Sequence, residues 1–234
     1  MNKPALVVMA RAPEAGRVKT RMQPVLSPEQ CAGLYDAFVR DAIDLAVSME
    51  GFVPFIAYTP AGSKTVFKRL IPAGMELIPQ TGNDLGQVMD GLILSLLFRK
   101  FLPVILIGSD IPVLQPRTIN RALAALERVD VCLGPSRDGG YYLIGVKKPV
   151  SALFQGIPWS SPNVLKVTLE KVTSAGLTAA LLEELSDVDL PGDLAALDAE
   201  IRTLHGVKGN RIPARTENWL KSARLNYKDI SSLC

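Results

Sequence analysis

Short apolar runs alternate with longer segments of helical periodicity along residues 1–204 of the 234-residue chain. The apolar runs cover residues 5–10, 52–58, 75–78, 103–107, 129–133 and 141–146, and a further short one lies at 177–182. Strands that alternate with helices are typical of an α/β fold built on a mainly parallel sheet. The run at 103–107 contains no polar residue, so it is predicted to lie at the centre of that sheet.

The segments between and after these runs predict helices at residues 27–49, 64–70, 85–100, 116–128, 161–175 and 192–204. The first begins at Ser27-Pro28-Glu29-Gln30, which combines a capping serine, a proline suited to the first helical position and a capping box. Because no break in composition and no repeat divides residues 1–204, they are predicted to form one domain. Residues 205–234 are polar and weakly patterned. They are predicted to be a tail on the domain or on a partner, which either closes over the site or makes a contact in a homodimer.

Composition narrows the class of protein. A chain with 48% hydrophobic and 21% charged residues is an ordinary globular protein. Its net charge of +3 and the absence of a long basic run argue against a nucleic-acid-binding protein. Its apolar runs are too short to span a bilayer. The cysteines at 31, 132 and 234 are widely spaced, which argues against a disulfide framework or a zinc site and favours a reducing cytoplasm.

The first long loop, residues 11–22, carries four cations around one glycine; these residues are Arg11, Gly16, Arg17, Lys19 and Arg21. A loop between a first strand and a first helix lies at the carboxyl end of a parallel sheet, where open α/β folds bind ligands. Cations beside free backbone N–H groups suit a phosphate chain. The alternative is a solvated, mobile basic loop, since basic runs usually lie on the surface.

Two familiar nucleotide signatures are absent. The first strand is not followed by GxGxxG, and in residues 16–20 two residues separate the glycine from Lys19, whereas a P-loop has none there. His205 is the lone histidine, and its position predicts that it caps a helix end. A Ser-His-Asp hydrolase triad is therefore not expected.

Acidic residues follow several of the predicted strands. Asp110 comes directly after the run at 103–107, and Asp187 and Asp189 lie in a turn near residue 190. Carboxylates from separate loops at one edge of a sheet are suitable ligands for Mg²⁺ or Mn²⁺. The alternative for Asp187 and Asp189 is that they cap the helix that follows.

Two glycine-containing loops have similar alternatives. Asp138-Gly139-Gly140 would present a carboxylate and allow close approach of backbone to a ligand, or would simply form a hairpin turn. Asp84, shortly after Gly82, is a ligand-binding residue or the N-cap of the next helix.

Five motifs in this order resemble those of a bacterial family of glycosyltransferase-like proteins, often described as nucleotide-diphospho-sugar transferases. The motifs lie at residues 16–21, 80–86, 108–112, 133–142 and 187–194. The family is similar in fold to the GT-A glycosyltransferases and to the phospholactate and molybdenum-cofactor guanylyltransferases. The resemblance extends over residues 4–204 and implies a three-layer α/β/α sandwich with a mainly parallel mixed sheet.

The resemblance also implies roles by position. The first-loop residues Arg11, Gly16, Arg17, Lys19 and Arg21 would hold nucleotide phosphates. The loop with Gln80, Gly82 and Asp84 would approach base and ribose. Asp110 would bind Mg²⁺ or Mn²⁺ together with Asp189 or Asp187. Asp138, Gly139 and Gly140 would face the acceptor or the transferred group, and the catalytic residues would be Lys19, Asp110 and Asp138.

The chain departs from the related enzymes in two places. Its first loop lacks the Gly-x-Gly-x-Arg-Met start of nucleotidyltransferases, and Ser109-Asp110-Ile111 replaces the Asp-x-Asp of many glycosyltransferases. The leading expectation is a cytoplasmic, metal-dependent transferase that moves a sugar from a nucleotide-diphospho-sugar to a small-molecule acceptor. One alternative is a nucleotidyltransferase that joins an NTP to a small phosphorylated acceptor and releases pyrophosphate. Another is a nucleotide-binding protein without turnover.

Overall fold

The structure, a computed structural model, describes residues 2–223 and residue 225. Its strands are β1 (Ala5–Arg11), β2 (Val53–Thr59), β3 (Glu76–Pro79), β4 (Val104–Gly108), β5 (Val131–Pro135), β6 (Tyr141–Val146) and β7 (Ala179–Leu181). Its α-helices are α1 (Pro28–Ser48), α2 (Lys64–Leu70), α3 (Leu85–Phe98), α4 (Pro116–Leu126), α5 (Val164–Ser174), α6 (Asp193–His205) and α7 (Ala214–Ala223). All seven strands predicted from the sequence are present.

The strands form one mixed sheet in the order β3-β2-β1-β4-β6-β5-β7, in which β6 runs antiparallel to both of its neighbours. The central position of β4 confirms the prediction from its unbroken apolar run. From β1 the chain passes outward to β2 and β3, and it then returns to place β4 on the other side of β1. The strand order therefore reverses between β1 and β4, which is where open α/β sheets bind ligands.

Helices cover both faces of the sheet. Alternate residues of β1 point to opposite faces, so Leu6 and Val8 join the core beneath α1, whereas Ala5 and Val7 join the core beneath α3. The predicted three-layer α/β/α sandwich is confirmed. In the described part of the chain, no helix combines the length and the apolar composition that a membrane span requires.

The helix starts follow the sequence signals in one case and depart from them in another. The Ser27 side chain accepts a hydrogen bond from the Gln30 backbone, and the Gln30 side chain accepts one from the Ser27 backbone, which confirms the capping box. The similar Ser161-Pro162 pair does not begin a helix. The helix predicted there, α5, starts only at Val164. Asn163, the residue before α5, makes no side-chain capping hydrogen bond.

The weakly patterned stretch after residue 205 contains α7, which the sequence analysis missed. The buried carboxylate of Asp41, in α1, accepts hydrogen bonds from the backbone N–H groups of Arg215 and Thr216 and from the Thr216 hydroxyl. The cap of α7 is therefore supplied by a residue far away in sequence. Within α7 itself, only Thr216 and Leu220 are buried. So few buried positions leave no clear helical periodicity to recognise. Cys234 lies outside the described residues.

Candidate active site

A cleft of about 340 Å³ opens between the carboxyl ends of β1 and β4, at the point where the strand order reverses. Its walls are mostly apolar, and several polar side chains also line it. The walls include Met9, Arg11, Tyr35, Thr59, Gln80, Leu85, Met89, Ser109, Asp110 and Tyr141. The cleft is therefore suited to a partly apolar group with polar ends.

A second recess of about 220 Å³ adjoins the cleft and shares Arg11, Tyr35 and Asp110 with it. The loop between β1 and α1 forms one side of this recess, and the structure brings together there the four predicted cations Arg11, Arg17, Lys19 and Arg21. Gly16 has a positive φ of 76° in the turn just before Arg17, a backbone conformation that glycine adopts without strain. The recess is suited to an anion.

Lys19 differs from the other cations of this loop because its side chain is only 5% exposed. Its Nζ lies 2.7 Å from Asp189 Oδ1 and also contacts Asp110 Oδ1. The rings of Tyr35 and Phe38 lie 5.8 and 5.6 Å from this ammonium group. Burial by itself would lower the pKa of Lys19, but the charges of Asp110 and Asp189 outweigh it, and the pKa lies above its ordinary value.

The Tyr35 hydroxyl contacts both the first loop and the loop that follows β4. It accepts a hydrogen bond from the Arg11 backbone N–H at 3.1 Å and lies 2.9 Å from the Ser109 hydroxyl. Burial, together with the nearby charge of Asp110, raises the pKa of Tyr35 to about 12. The hydroxyl is therefore a fixed neutral link between the first loop and the loop that carries Asp110.

The predicted acidic residues meet beside the recess. The backbone N–H of Val188 donates to the Asp110 carbonyl at 3.0 Å, which joins the turn at 187–189 to the end of β4. Asp187 accepts a hydrogen bond from the buried Ser136 hydroxyl at 2.9 Å. Burial raises the pKa of Asp187 to about 7 against the effect of that bond, and the charges of Asp110, Asp138 and Asp189 raise it further.

The alternative that Asp187 or Asp189 caps the next helix is wrong, since their side chains bond Ser136 and Lys19 instead. Asp193, in the first turn of α6, fixes this turn by accepting from the backbone N–H groups of Asp189 and Leu190 at 2.8 and 2.7 Å. The turn therefore leaves both aspartate side chains available to the site.

The oxygen donors of Asp110, Asp187 and Asp189 fit the coordination chemistry of Mg²⁺ or Mn²⁺. The Lys19 ammonium, held between two of these carboxylates, is a stand-in cation at the same place. Within residues 2–223 and 225, no three acidic, histidine or cysteine side chains already converge as a metal site. The donor set thus suits a divalent cation, and the metal site itself remains a prediction.

The loop after β3 contributes to the cleft through one of its three predicted residues. Gln80 lines the cleft, and its Nε2 donates to the carbonyls of Ala57 at 2.8 Å and Ala10 at 3.3 Å. Asp84 is the N-cap of α3, where it accepts from the Gln87 backbone at 2.8 Å. Gly82 packs against the start of the same helix, since a Cβ there would lie 2.9 Å from the backbone nitrogen of Val88. Asp84 and Gly82 thus both have a structural role at the start of α3.

Residues 138–140 form the hairpin between β5 and β6. Asp138 accepts from the Gly140 backbone at 2.9 Å, and its carboxylate is close enough to Asp187 to raise the pKa of that residue. Gly139 has a φ of 89°, and a Cβ on it would lie 2.1 Å from the Pro162 carbonyl oxygen. Packing against Pro162 therefore accounts for Gly139, while Asp138 is the residue of this hairpin that borders the acidic cluster.

Sequence reasoning missed two polar groups that organise the site, Tyr35 and Ser136. Tyr35 lies in α1, where an aromatic residue at helical spacing predicts core packing. Ser136 is part of a recognised motif, but its buried hydroxyl is identified only by its contact with Asp187, 51 positions away.

The fold and this site define a protein of the nucleotidyl- or nucleotide-sugar-transferase-like class. Residues 42–161, just over half of the chain, match the DUF2064 family, which is described as an uncharacterized protein conserved in bacteria. The chain belongs to this family. The comparisons confirm the resemblance drawn from the sequence and the identification as a transferase.

A solved structure from Desulfovibrio desulfuricans G20, provisionally named a nucleotide-diphospho-sugar transferase, is 32% identical to the chain. The match covers 99% of this chain and 98% of that one, with a TM-score of 0.86. The structure of a CMP:2-keto-3-deoxy-manno-octonic acid synthetase complexed with CTP covers 86% of this chain and 99% of its own at 14% identity, with a TM-score of 0.57. At that identity the likeness concerns the fold alone.

The 2-phospho-L-lactate guanylyltransferase of Methanopyrus kandleri is 37% identical over 101 residues. The match covers 41% of this chain and 49% of the relative. The chain thus spans about half the length of the curated relative that it matches.

Proposed function

We propose that the chain is a nucleotidyltransferase that joins the nucleoside monophosphate part of an NTP to a small phosphorylated acceptor and releases pyrophosphate. The observation that carries the proposal is the cationic recess of Arg11, Arg17, Lys19 and Arg21, directly beside the carboxylates of Asp110 and Asp189. Four cations on one loop suit a free triphosphate better than a diphosphate whose terminal phosphate is esterified to a sugar. The likeness to a guanylyltransferase supports the same choice.

In the proposed reaction the base and ribose occupy the larger cleft and the phosphates occupy the recess. An oxygen of the acceptor phosphate attacks the α-phosphorus and forms the new P–O bond. The bond from the α-phosphorus to the oxygen that bridges to the β-phosphorus breaks, and its electron pair leaves with pyrophosphate. Arginine side chains of the first loop offset the charge that accumulates on the phosphate oxygens. Asp138, at the hairpin beside the acidic cluster, faces the acceptor.

A divalent cation bound by Asp110, Asp187 and Asp189 would supply further neutralisation of phosphate charge. We place the reaction in a reducing cytoplasm, since Cys31 and Cys132 are free thiols within the core.

A second candidate is glycosyl transfer from a nucleotide-diphospho-sugar, and the likeness over 99% of the chain to the Desulfovibrio protein favours it. The acceptor would then attack the sugar carbon, and the nucleoside diphosphate would leave. The two reactions differ in their phosphorus product, pyrophosphate in the first and nucleoside diphosphate in the second.

The test is an assay of both products. The protein is incubated with each NTP and with 2-phospho-L-lactate or another phosphorylated hydroxy acid, and separately with UDP- and GDP-sugars, each with Mg²⁺, Mn²⁺ or EDTA. Pyrophosphate formed only when an NTP and an acceptor are both present would support nucleotidyl transfer. Release of nucleoside diphosphate from a sugar nucleotide would instead support glycosyl transfer. Nucleotide binding without either product would indicate a nucleotide-binding protein without turnover.

A further inference from the structure

Lys19 makes an unusual pair of contacts for a residue in a cationic loop. Arg17, two positions earlier, has a side chain 68% exposed and pairs with Glu14 in solvent at 3.4 Å. Lys19 instead turns its side chain inward, and one ammonium group contacts carboxylates from two separate loops, Asp110 and Asp189. Its backbone adopts the left-handed conformation, with φ 47° and ψ 36°.

The two carboxylates that hold Lys19 are also two of the three oxygen donors suited to a divalent cation. An ammonium group and a metal ion cannot occupy the same position between them. Each also opposes the other through charge, and the Lys19 ammonium exerts this repulsion from a side chain that is only 5% exposed. Binding of one must therefore weaken binding of the other.

We propose that Lys19 is an internal counter-ion that occupies the cation position between Asp110 and Asp189, and that a divalent cation binds there only by displacing the Lys19 ammonium. This inference rests on the metal-assisted form of the proposed function. It extends that function by giving Lys19 two alternative sets of partners, the carboxylates in the free protein and the phosphates in the loaded one.

The displaced ammonium would remain tethered to the loop that carries Arg11, Arg17 and Arg21. A nucleotide phosphate in the recess would then give it a new partner of the same charge as the carboxylates that it lost. Cation and nucleotide should consequently bind cooperatively, because each one removes an obstacle to the other. The free protein keeps its acidic cluster partly neutralised until both are present.

The first test is calorimetric titration of the nucleotide-free protein with Mn²⁺, comparing the wild type with Lys19→Met. Methionine keeps an unbranched side chain against Tyr35 and Phe38 and places the same demand on the backbone. We expect Mn²⁺ affinity to rise at least about tenfold in Lys19→Met, as expected for removal of a competing ligand. Arg17→Gln is the matched control, because it removes one charge from the same loop without touching Asp110 or Asp189, and its Mn²⁺ affinity should change little.

Equal or weaker Mn²⁺ binding by Lys19→Met would overturn the proposal, and so would an equal gain in Arg17→Gln. Absence of Mn²⁺ binding to both wild type and Lys19→Met would overturn it as well. Because no nucleotide is present, a tenfold gain would uphold the exchange even if the proposed nucleotidyl transfer failed its own assay.

A second measurement uses the wild-type protein, so it does not depend on folding of the variant. Lysine acetylation is followed by mass spectrometry with and without Mg²⁺. Lys19 should react much more slowly than the exposed Lys64 and Lys68 in the metal-free protein, and its rate should increase when Mg²⁺ is added. A Lys19 rate that Mg²⁺ leaves unchanged or lowers would contradict the displacement.

Discussion

Lys19 Nζ and Asp189 Oδ1 lie 2.7 Å apart although 170 residues separate them in the sequence. This ion pair joins the first loop of the chain to the turn before α6, and Asp110 at the end of β4 completes it. The proposed phosphate-binding and metal-binding halves of the candidate site are therefore in direct contact. A substitution in either half is therefore expected to affect ligand binding in the other.

Asp110→Asn should reduce pyrophosphate release by about a hundredfold or more, because it removes a charge at the centre of the site. The fold should persist, since Lys19 keeps Asp189 as a partner and the Asp110 carbonyl still accepts from Val188. The measurement is kcat with the preferred NTP, alongside a melting curve. Asp198→Asn is a suitable control, because Asp198 forms an i,i+4 ion pair on α6. Near wild-type turnover in Asp110→Asn would remove this residue from the mechanism.

The part of this site that the sequence predicts is the part encoded locally. The first-loop cations and Asp110 follow strands whose apolar runs are clear, so their meeting at one edge of the sheet follows from the fold. The partner of Lys19 is not predictable in that way, because a lysine in a basic loop gives no sign that it turns inward. Helix α7 escaped prediction for a similar reason, since its cap is Asp41 in a distant helix.

Asp41→Asn should lower the free energy of unfolding by about 2–3 kcal/mol, because hydrogen bonds to a buried charged group are lost. Each carboxylate oxygen now accepts a backbone N–H, one from Arg215 and the other from Thr216, so in either orientation the amide Nδ2 would face a donor in place of an acceptor. Urea denaturation gives the free energy. The matched control is Asp44→Asn in the same helix, where the Asp44 side chain is 56% exposed and lies 3.7 Å from Arg215. Equal effects in the two variants would argue against a specific role of Asp41 in holding α7.

Asp130→Asn should destabilise the protein at neutral pH and have a smaller effect in acid. The Lys148 ammonium, at 2.7 Å, and the backbone N–H of Thr178 lower the pKa of Asp130 to about 2. The ordinary value is 3.8, so the ionised carboxylate stabilises the fold above about pH 4, and this contribution is lost as the pH falls through 2. Urea midpoints of both proteins between pH 7 and pH 2 should therefore converge. A constant difference across this range would attribute the effect to packing rather than to charge.

Arg17→Gln combined with Arg21→Gln should weaken binding of the preferred NTP by about tenfold or more, since a hydrogen bond to a charged group contributes roughly 1.5 kcal/mol or more. Both arginines line the recess beside Lys19 and are exposed before ligand binds, so their loss should leave the melting temperature nearly unchanged. The dissociation constant measured at low and high salt should also become less salt-dependent, because fewer charges attract the phosphates. Lys64→Gln combined with Lys68→Gln, at two exposed cations of α2, controls for the loss of two positive charges. If that control weakened NTP binding as much as the double variant, the effect would come from overall charge, and the recess would lose its role as the phosphate site.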